Sequence, residues 1–236
     1  MLEEFAKAGL PIPERLIEIV DWDRLGRFCE FLRNKNEAGG FFSKGDAERI
    51  LERHLYENVI FMDYVVSRCK VSRETNLADA GSGPGLPGYL FACLKQPPRI
   101  TLIDSSRRRL GLVEEHHRTE RSPASVRFEY SRLEEMRTTF SLIVMRALIP
   151  FPQCVELVCH LVGKGGFLVL SGSRFQQTDL SRFGFVSRET YVASELSFLG
   201  ARTFLLLEKT GKQDSLYPRP WKIIQQEVKE WKESTP

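Results

Sequence analysis

The sequence lacks the features expected of secreted, membrane-spanning or metal-binding proteins. No apolar run approaches the roughly 20 residues that a transmembrane helix needs. The stretch Met1–Lys7 has no positive region followed by an apolar one, so no signal peptide is predicted. The five cysteines are odd in number and form no CxxC pair, which argues against a disulfide framework or a zinc site. We therefore expect a cytoplasmic protein without a membrane or metal partner.

The sequence also lacks a strong excess of positive or negative charge. The chain has 34 Lys and Arg against 31 Asp and Glu, for a net charge of +3. This balance tolerates a polyanionic partner without requiring one, so any nucleic-acid surface must come from local clustering. A chain of 236 residues with 42% hydrophobic residues fits one α/β domain with an extension.

Two hydrophobic patterns divide the chain. In residues 1–70 apolar positions recur at spacings of about three and four, which predicts an N-terminal helical extension. One helix is expected to begin at Pro13 and run through Leu32, and a second to begin near Ser43 or Asp46.

From residue 71 to 210, short apolar runs alternate with amphipathic stretches, which predicts an α/β domain. Its sheet should be mostly parallel and twisted, with helices on both faces. Residues 211–236 are expected to form a basic and polar tail that ends in a short helix. Strands are predicted at 76–80, 99–104, 126–130, 140–146 and 165–171, with a final hairpin near Phe185 and Phe204, and helices at 86–95, 107–119 and 151–162.

A glycine-rich loop follows the first predicted strand and precedes a helix. It reads Asp79-Ala80-Gly81-Ser82-Gly83-Pro84-Gly85-Leu86-Pro87-Gly88. Glycines allow a sharp turn and let a ligand lie against the backbone. Asp104 ends the next strand, where an acid can accept hydrogen bonds from both ribose hydroxyls of a nucleoside cofactor.

The register of the loop separates two classes of cofactor. Dinucleotide sites use GxGxxG, whereas here the glycines are Gly81, Gly83 and Gly85, with Asp79 two residues before the first. An acid at that place repels a pyrophosphate but suits the cationic end of a sulfonium amino acid. The pattern therefore favours S-adenosyl-L-methionine and a methyltransferase.

This loop, with Leu102-Ile103-Asp104-Ser105 and the basic residues 107–109, closely resembles the RsmG family, also called glucose-inhibited division protein B. The resemblance runs from the N-terminal helices to about residue 208. It implies a Rossmann-like class I methyltransferase that methylates N7 of a guanine in bacterial small-subunit (16S) ribosomal RNA, with that RNA or its assembly particle as partner. Further matches are Arg53-His54, Ser131-Arg132-Leu133-Glu134-Glu135, Met145-Arg146-Ala147, Gly165-Gly166 and Arg202.

The resemblance also implies roles for single residues. Gly81 and Leu86 are expected to contact the cofactor, beside Asp79, Gly83 and Asp104 of the same motif. Leu133 and Glu134 are expected beside its adenine, although Glu134 could be a solvated acid. The remaining expected site residues are Arg146 as a cofactor-binding and catalytic residue, and Arg53, His54 and Arg202 as substrate-binding residues.

Alternatives also stay open for three of these residues. Arg146 is expected to end the fourth strand, where ligands bind in α/β sheets, but a surface or salt-bridged arginine is the competing interpretation. Arg53 and His54 could instead fix the N-terminal extension.

Two departures from the family concern the substrate side. The chain has Gly40-Phe41-Phe42 where the family has Asn-Leu-Thr, and Ser171 where the family has a lysine. Both changes remove polar groups. They keep two other hypotheses open: a methyltransferase acting on a small molecule or protein, and a ribosome-associated protein that binds the cofactor without catalysis.

The residues fit attack by a ring nitrogen. Guanine N7 has a free lone pair and needs no base, and no dedicated base is found. Cys154 lies in a predicted helix and is discounted as a nucleophile. RNA binding is expected to use basic residues, because phosphate contacts supply most of the affinity; they are Arg107, Arg108, Arg109, Arg146, Arg174, Arg202, Lys212, Arg219 and Lys222.

Overall fold

The structure is a computed structural model that describes residues 1–37, 41–42, 49–120, 122–146 and 148–234. The predicted helix starts at Ser43 and Asp46 lie outside the described residues, as do Gly40 and Ala147. The chain divides into two compact units, Met1–Tyr130 and Ser131–Pro236.

The N-terminal part of the first unit is helical, as predicted, but its predicted first helix is two helices. Val20 is extended, with φ −92° and ψ 140°, and Asp21 then accepts a hydrogen bond from the backbone amide of Arg24 at 3.0 Å. A short polar side chain at that position caps the next helix. The helices of this unit are α1 (Leu2–Lys7), α2 (Glu14–Ile19), α3 (Trp22–Glu37), a π-helix (Ile50–Tyr56), α4 (Glu57–Arg68), α5 (Gly88–Ala92) and α6 (Arg107–Thr119).

Three parallel strands complete the first unit: β1 (Asn76–Ala80), β2 (Arg99–Ile103) and β3 (Val126–Glu129). Every residue of β1 after Asn76 is buried, as are the last four of β2. The register sets Asp79 beside Leu102, so β1 and β2 end together. The glycine loop and Asp104 consequently leave the sheet at the same edge.

The second unit has four strands: β4 (Phe140–Arg146), β5 (Val162–Gly172), β6 (Phe185–Val192) and β7 (Thr203–Lys209). β4 and β5 are parallel, whereas β7 is antiparallel to both β5 and β6. The predicted final hairpin is therefore confirmed. The helices are α7 (Gln153–Val158) and α8 (Trp221–Ser234), with 3-10 turns at Leu133–Glu135, Ser181–Phe183 and Ser194–Leu199.

The predicted strand at 165–171 begins earlier than expected, at Val162. Gly165 has φ +78°, and the pairing of β4 with β5 shifts register between Phe140 and Leu142. The glycine pair thus forms an irregularity within a strand rather than its start. α7 ends at Val158, four residues before its predicted end, because β5 takes over at Val162.

Within the described residues, no helix is both long and apolar enough to cross a membrane.

Candidate functional site

The glycine loop is fastened to the end of β2. The backbone amides of Gly81 and Ser82 both donate to the carbonyl of Ile103 at 2.9 Å. The Ser82 hydroxyl donates to the carbonyl of Asp79 at 2.9 Å and accepts from the amide of Ile103 at 3.1 Å. These bonds fix the path of the loop without using the amide of Gly83.

Asp79 holds the far end of the loop. The carboxylate is fully buried, and its Oδ2 accepts a hydrogen bond from the amide of Gly88, the first residue of α5, at 2.8 Å. A Cβ at position 88 would lie 2.4 Å from the Cβ of Asp79, so only glycine fits there. This hydrogen bond of Asp79 is with the loop itself, and a contact of Asp79 with the cofactor stays a prediction.

Asp104 is the acid that faces the middle of the loop. Its Oδ2 accepts from the amide of Gly83 at 2.8 Å, and its Oδ1 accepts from the amide of Ser106 at 2.7 Å. Arg109 Nη2 lies 3.8 Å from the same Oδ2. A carboxylate offers roughly four acceptor positions, so these two hydrogen bonds leave capacity for ribose hydroxyls.

The space in front of Gly83 suits a ligand lying on the backbone. Gly83 has φ +51°, and a Cβ built there would have Asp104 Oδ2 and Arg109 Nη1 as its nearest side-chain atoms, both at 3.9 Å. A side chain at position 83 would fill the space in front of the Asp104 carboxylate, which glycine leaves open. Leu86, the predicted apolar contact, is 4% exposed on the same loop. The residues present therefore fit a nucleoside cofactor.

Leu133 and Glu134 begin a 3-10 turn of the second unit. Leu133 is buried, and the Glu134 side chain is only 11% exposed, with Arg132 Nη1 3.7 Å from its Oε1. The geometry therefore argues against a freely solvated acid at position 134.

Arg146 is the last residue of β4, where the prediction placed it. The parallel register sets it beside Ser171, near the end of β5. The arginine thus neighbours the position at which the family has a lysine. Because ligands bind outside the carboxyl ends of strands in open α/β sheets, this location favours a functional interpretation.

Arg53 and His54 lie on the π-helix, a rare conformation that is frequent at functional sites. The His54 ring stacks on Phe42 with centroids 3.9 Å apart, and its carbonyl accepts from Asn58 Nδ2 at 2.5 Å. Phe42 belongs to the tripeptide that departs from the family. His54 therefore contacts a residue at which this chain departs from the family, on the side where the substrate is expected.

Among the predicted basic residues, the guanidinium groups differ in their surroundings. Arg202 directly precedes β7 and donates to the carbonyl of Ala201 at 3.0 Å. Arg107 lies over the ring of Tyr130 at 4.6 Å. Arg219 is held by two carboxylates of its own unit, which argues against its predicted role in phosphate binding.

His116 and His117 are half-buried on α6, and Cys154, which was discounted as a nucleophile, is buried. His116 stacks on Phe31 at 4.4 Å, and burial lowers the pKa of both His116 and His117. Burial raises the pKa of the Cys154 thiol to about 12, so it is protonated and a poor nucleophile at neutral pH. No group of three or more His, Cys, Asp or Glu in the described ranges is placed to hold a metal ion.

One feature that the sequence did not predict is a cavity of about 560 Å³ whose lining residues all belong to the second unit. Met145, Ser171, Phe175 and Trp231 are among them. The available signal was a tryptophan in an amphipathic C-terminal stretch, but no pattern in the chain relates that stretch to the end of β5.

Comparisons of the sequence with known proteins identify the family. The family model described as rRNA small subunit methyltransferase G matches residues 21–187. A relative from Leptospira biflexa, named ribosomal RNA small subunit methyltransferase G, is 40% identical and covers 89% of this chain and 88% of its own. A relative of the same name from Leptospira interrogans is 36% identical over 92% of this chain and 87% of its own.

The solved structures show the fold. Magnesium protoporphyrin IX methyltransferase from Synechocystis PCC 6803, with bound S-adenosylmethionine, gives a TM-score of 0.57 at 16% identity and covers 77% of this chain and 91% of that one. The prediction of a Rossmann-like class I methyltransferase fold is confirmed. The family match and the relatives confirm the resemblance as well: the chain belongs to the rRNA small subunit methyltransferase G family.

Proposed function

We propose that this protein transfers a methyl group from S-adenosyl-L-methionine to N7 of one guanine in 16S ribosomal RNA, free or within an assembling small subunit. The observation that carries the proposal is the pairing of Asp104 with the amide of Gly83 on a family-typical loop. Family membership gives the substrate class. The proposal places the protein in the bacterial cytoplasm, where ribosomes are assembled.

The first unit supplies the cofactor loop. Asp104 receives the ribose hydroxyls through its remaining acceptor positions, and Gly83 gives the ligand room to approach. Gly81 and Leu86 belong to the same loop. Asp79 maintains the shape of this loop by accepting a hydrogen bond from the amide of Gly88. Leu133 and Glu134 of the second unit are proposed beside the adenine.

When bound, S-adenosyl-L-methionine supplies a methyl group already activated on a sulfonium sulfur. Held by the glycine loop and Asp104, the cofactor would supply that methyl group to the N7 lone pair, and the electron pair of the broken carbon–sulfur bond would remain on sulfur. N7 carries no proton, so the protein needs no base. Its task is to hold the guanine in line and to exclude water.

Arg146 is proposed to orient the reactants. Its guanidinium presents a planar fork of donors that can hold a phosphate, a guanine carbonyl or a carboxylate in one orientation. Arg53, His54 and Arg202 are proposed to contact the RNA. We also propose a functional division into a helical extension (1–70), a methyltransferase domain (71–210) and a tail (211–236).

The loop offers a direct test. Gly81 has φ +80°, a conformation that side chains rarely adopt, so Gly81→Asp adds both strain and a negative charge to the loop. Calorimetry with S-adenosyl-L-methionine should show binding to the wild type and none to the variant. Gly163→Ala is a control in the second unit, because its Cβ would meet only an ordinary contact at 3.5 Å. A folded wild type that binds no cofactor would refute the proposal.

A further inference from the structure

The cavity of the second unit is bounded by β4, β5 and the C-terminal helix. Met145 comes from β4, Leu170 and Ser171 from β5, and Trp231 from α8. Its volume of about 560 Å³ lies within the range of small-molecule sites. None of its lining residues belongs to the glycine loop or to any other part of the first unit.

Two buried anchors and an ion-pair cluster hold α8 in place. Ile224 and Val228 are 0% and 7% exposed, and Trp231 follows them on the same face of the helix. Arg219, just before the helix, donates to Glu156 at 2.7 and 2.8 Å and to Glu227 at 2.5 and 2.9 Å. This cluster joins the start of α8 to α7 and therefore fixes where Trp231 lies.

The chemistry of the walls suits a planar aromatic ring. Phe151 and Phe175 line the cavity and contact each other edge to face, with centroids 5.4 Å apart. Trp231 adds an indole that is 39% exposed, so part of its surface is accessible to a ligand. Aromatic side chains that form such walls bind unstacked bases in single-stranded RNA.

The polar groups are few and suit a base edge and a phosphate. Ser171 is 4% exposed, and its hydroxyl has no hydrogen-bond partner within the described part of the chain. A buried polar atom without a partner is costly, so a ligand that supplies one is favoured. Arg174, exposed beside the cavity, is suited to an adjacent phosphate.

From these contacts we infer that the cavity takes one unstacked purine of the RNA, and that Trp231 is the ring on which this base stacks. The inference rests on the proposed function, since it supplies a place for the acceptor guanine or a neighbouring base. The Ser171 hydroxyl pairs with the base edge. Trp231 is accordingly a residue that determines substrate affinity and is contributed by a helix beyond the range of the family model.

Fluorine NMR tests the cavity without any need for activity. The chain has three tryptophans, so 5-fluorotryptophan labelling gives three signals, and Trp231→Phe identifies that of Trp231. Titration of the wild type with guanosine 5′-monophosphate should shift the Trp231 signal and leave that of Trp22 in place. No shift at saturating nucleotide, or an equal shift with ribose 5-phosphate, would overturn the inference.

Kinetics test the role in the reaction. Trp231→Ala should raise KM for small-subunit RNA by about tenfold to a hundredfold, the usual range for one stacked base, with the affinity for S-adenosyl-L-methionine unchanged. Trp231→Phe should retain most of the affinity for RNA. Ile223→Ala is the control, since Ile223 is 46% exposed on the same helix and is not among the cavity residues.

The outcomes separate the two proposals. An unchanged KM for Trp231→Ala, in an active enzyme, would overturn the inference and leave the proposed function standing. A wild type inactive on ribosomal RNA would refute the proposed function, while the NMR titration still decides whether the cavity binds a purine.

Discussion

Asp104 performs one structural task and, in the proposed function, one binding task. It holds the amide of Gly83 and Ser106 with one oxygen each, and it is 7% exposed. For the proposed binding of the ribose, these two hydrogen bonds preorganise the carboxylate, because they set its orientation before a cofactor binds.

Asp104→Ala should weaken binding of S-adenosyl-L-methionine about tenfold to a hundredfold, the usual consequence of losing charge-assisted hydrogen bonds. Calorimetry measures the affinity, and thermal unfolding of the same samples shows whether the variant is folded. Asp23→Ala is the control, because Asp23 is an exposed acid on α3. Equal affinities of Asp104→Ala and wild type would mean that the ribose lies elsewhere.

In the proposed function, Arg146 is the residue on which methyl transfer depends most. Arg146→Lys keeps the positive charge at the end of β4 but removes the planar fork of donors, so the variant should fold normally and lose most of its turnover. Single-turnover methyl transfer to small-subunit RNA measures the effect, with Arg127→Lys, an exposed arginine on β3, as the control. Full activity in Arg146→Lys would show that only the charge matters.

At the scale of elements, the ion-pair cluster of Arg219 with Glu156 and Glu227 joins α8 to α7 within the second unit. The Glu156 side chain is 2% exposed and that of Arg219 is 21% exposed. Arg219→Met leaves Glu156 buried without its cation and should lower the free energy of unfolding by about 3–5 kcal/mol in urea denaturation. Arg188→Met, which breaks a more exposed pair with Glu208, should cost at most about 1 kcal/mol.

The same cluster depends on pH through Glu227. Arg219 holds the pKa of the Glu227 carboxyl below its ordinary value of 4.5. Because this pKa is lowered in the folded state, the ion pair adds stability that is fully present above the ordinary pKa of 4.5. That stability is lost as the pH falls through the lowered pKa of the folded protein. The wild type should therefore have a slightly larger free energy of unfolding than Glu227→Gln at pH 7, and this difference should vanish in acid. A difference that grew on acidification would contradict this assignment.

The sequence allowed most of β1 to β4 to be predicted, because continuous apolar runs mark parallel strands. It did not reveal the break between α2 and α3, since apolar spacing continues across Asp21, although this residue is itself a capping signal. The π-helix has no distinct pattern, and the irregularity at Gly165 depends on pairing with β4.

The candidate site divides in the same way. The meeting of Asp104 with the glycine loop follows from two strands that end together, which motif spacing indicates. Two other features depend on tertiary packing, so no local pattern predicts them. They are the hydrogen bond from the Gly88 amide to Asp79 and the cavity at Trp231.

At the scale of the whole molecule, a net charge of +3 gives little general attraction to RNA. In the proposed function, selection of the substrate then depends on particular arginines and on the shape of the sites. This is consistent with one modified nucleotide rather than indiscriminate methylation, and it makes the position of the methyl group the most informative observable.

The most direct test is mass mapping of guanosines in small-subunit RNA, taken from cells without the family enzyme and incubated with this protein and S-adenosyl-L-methionine. The account predicts one new N7-methylguanosine, present with wild type and greatly reduced with Arg146→Lys. Cofactor binding by calorimetry without methyl transfer to free RNA or to subunit particles would contradict it.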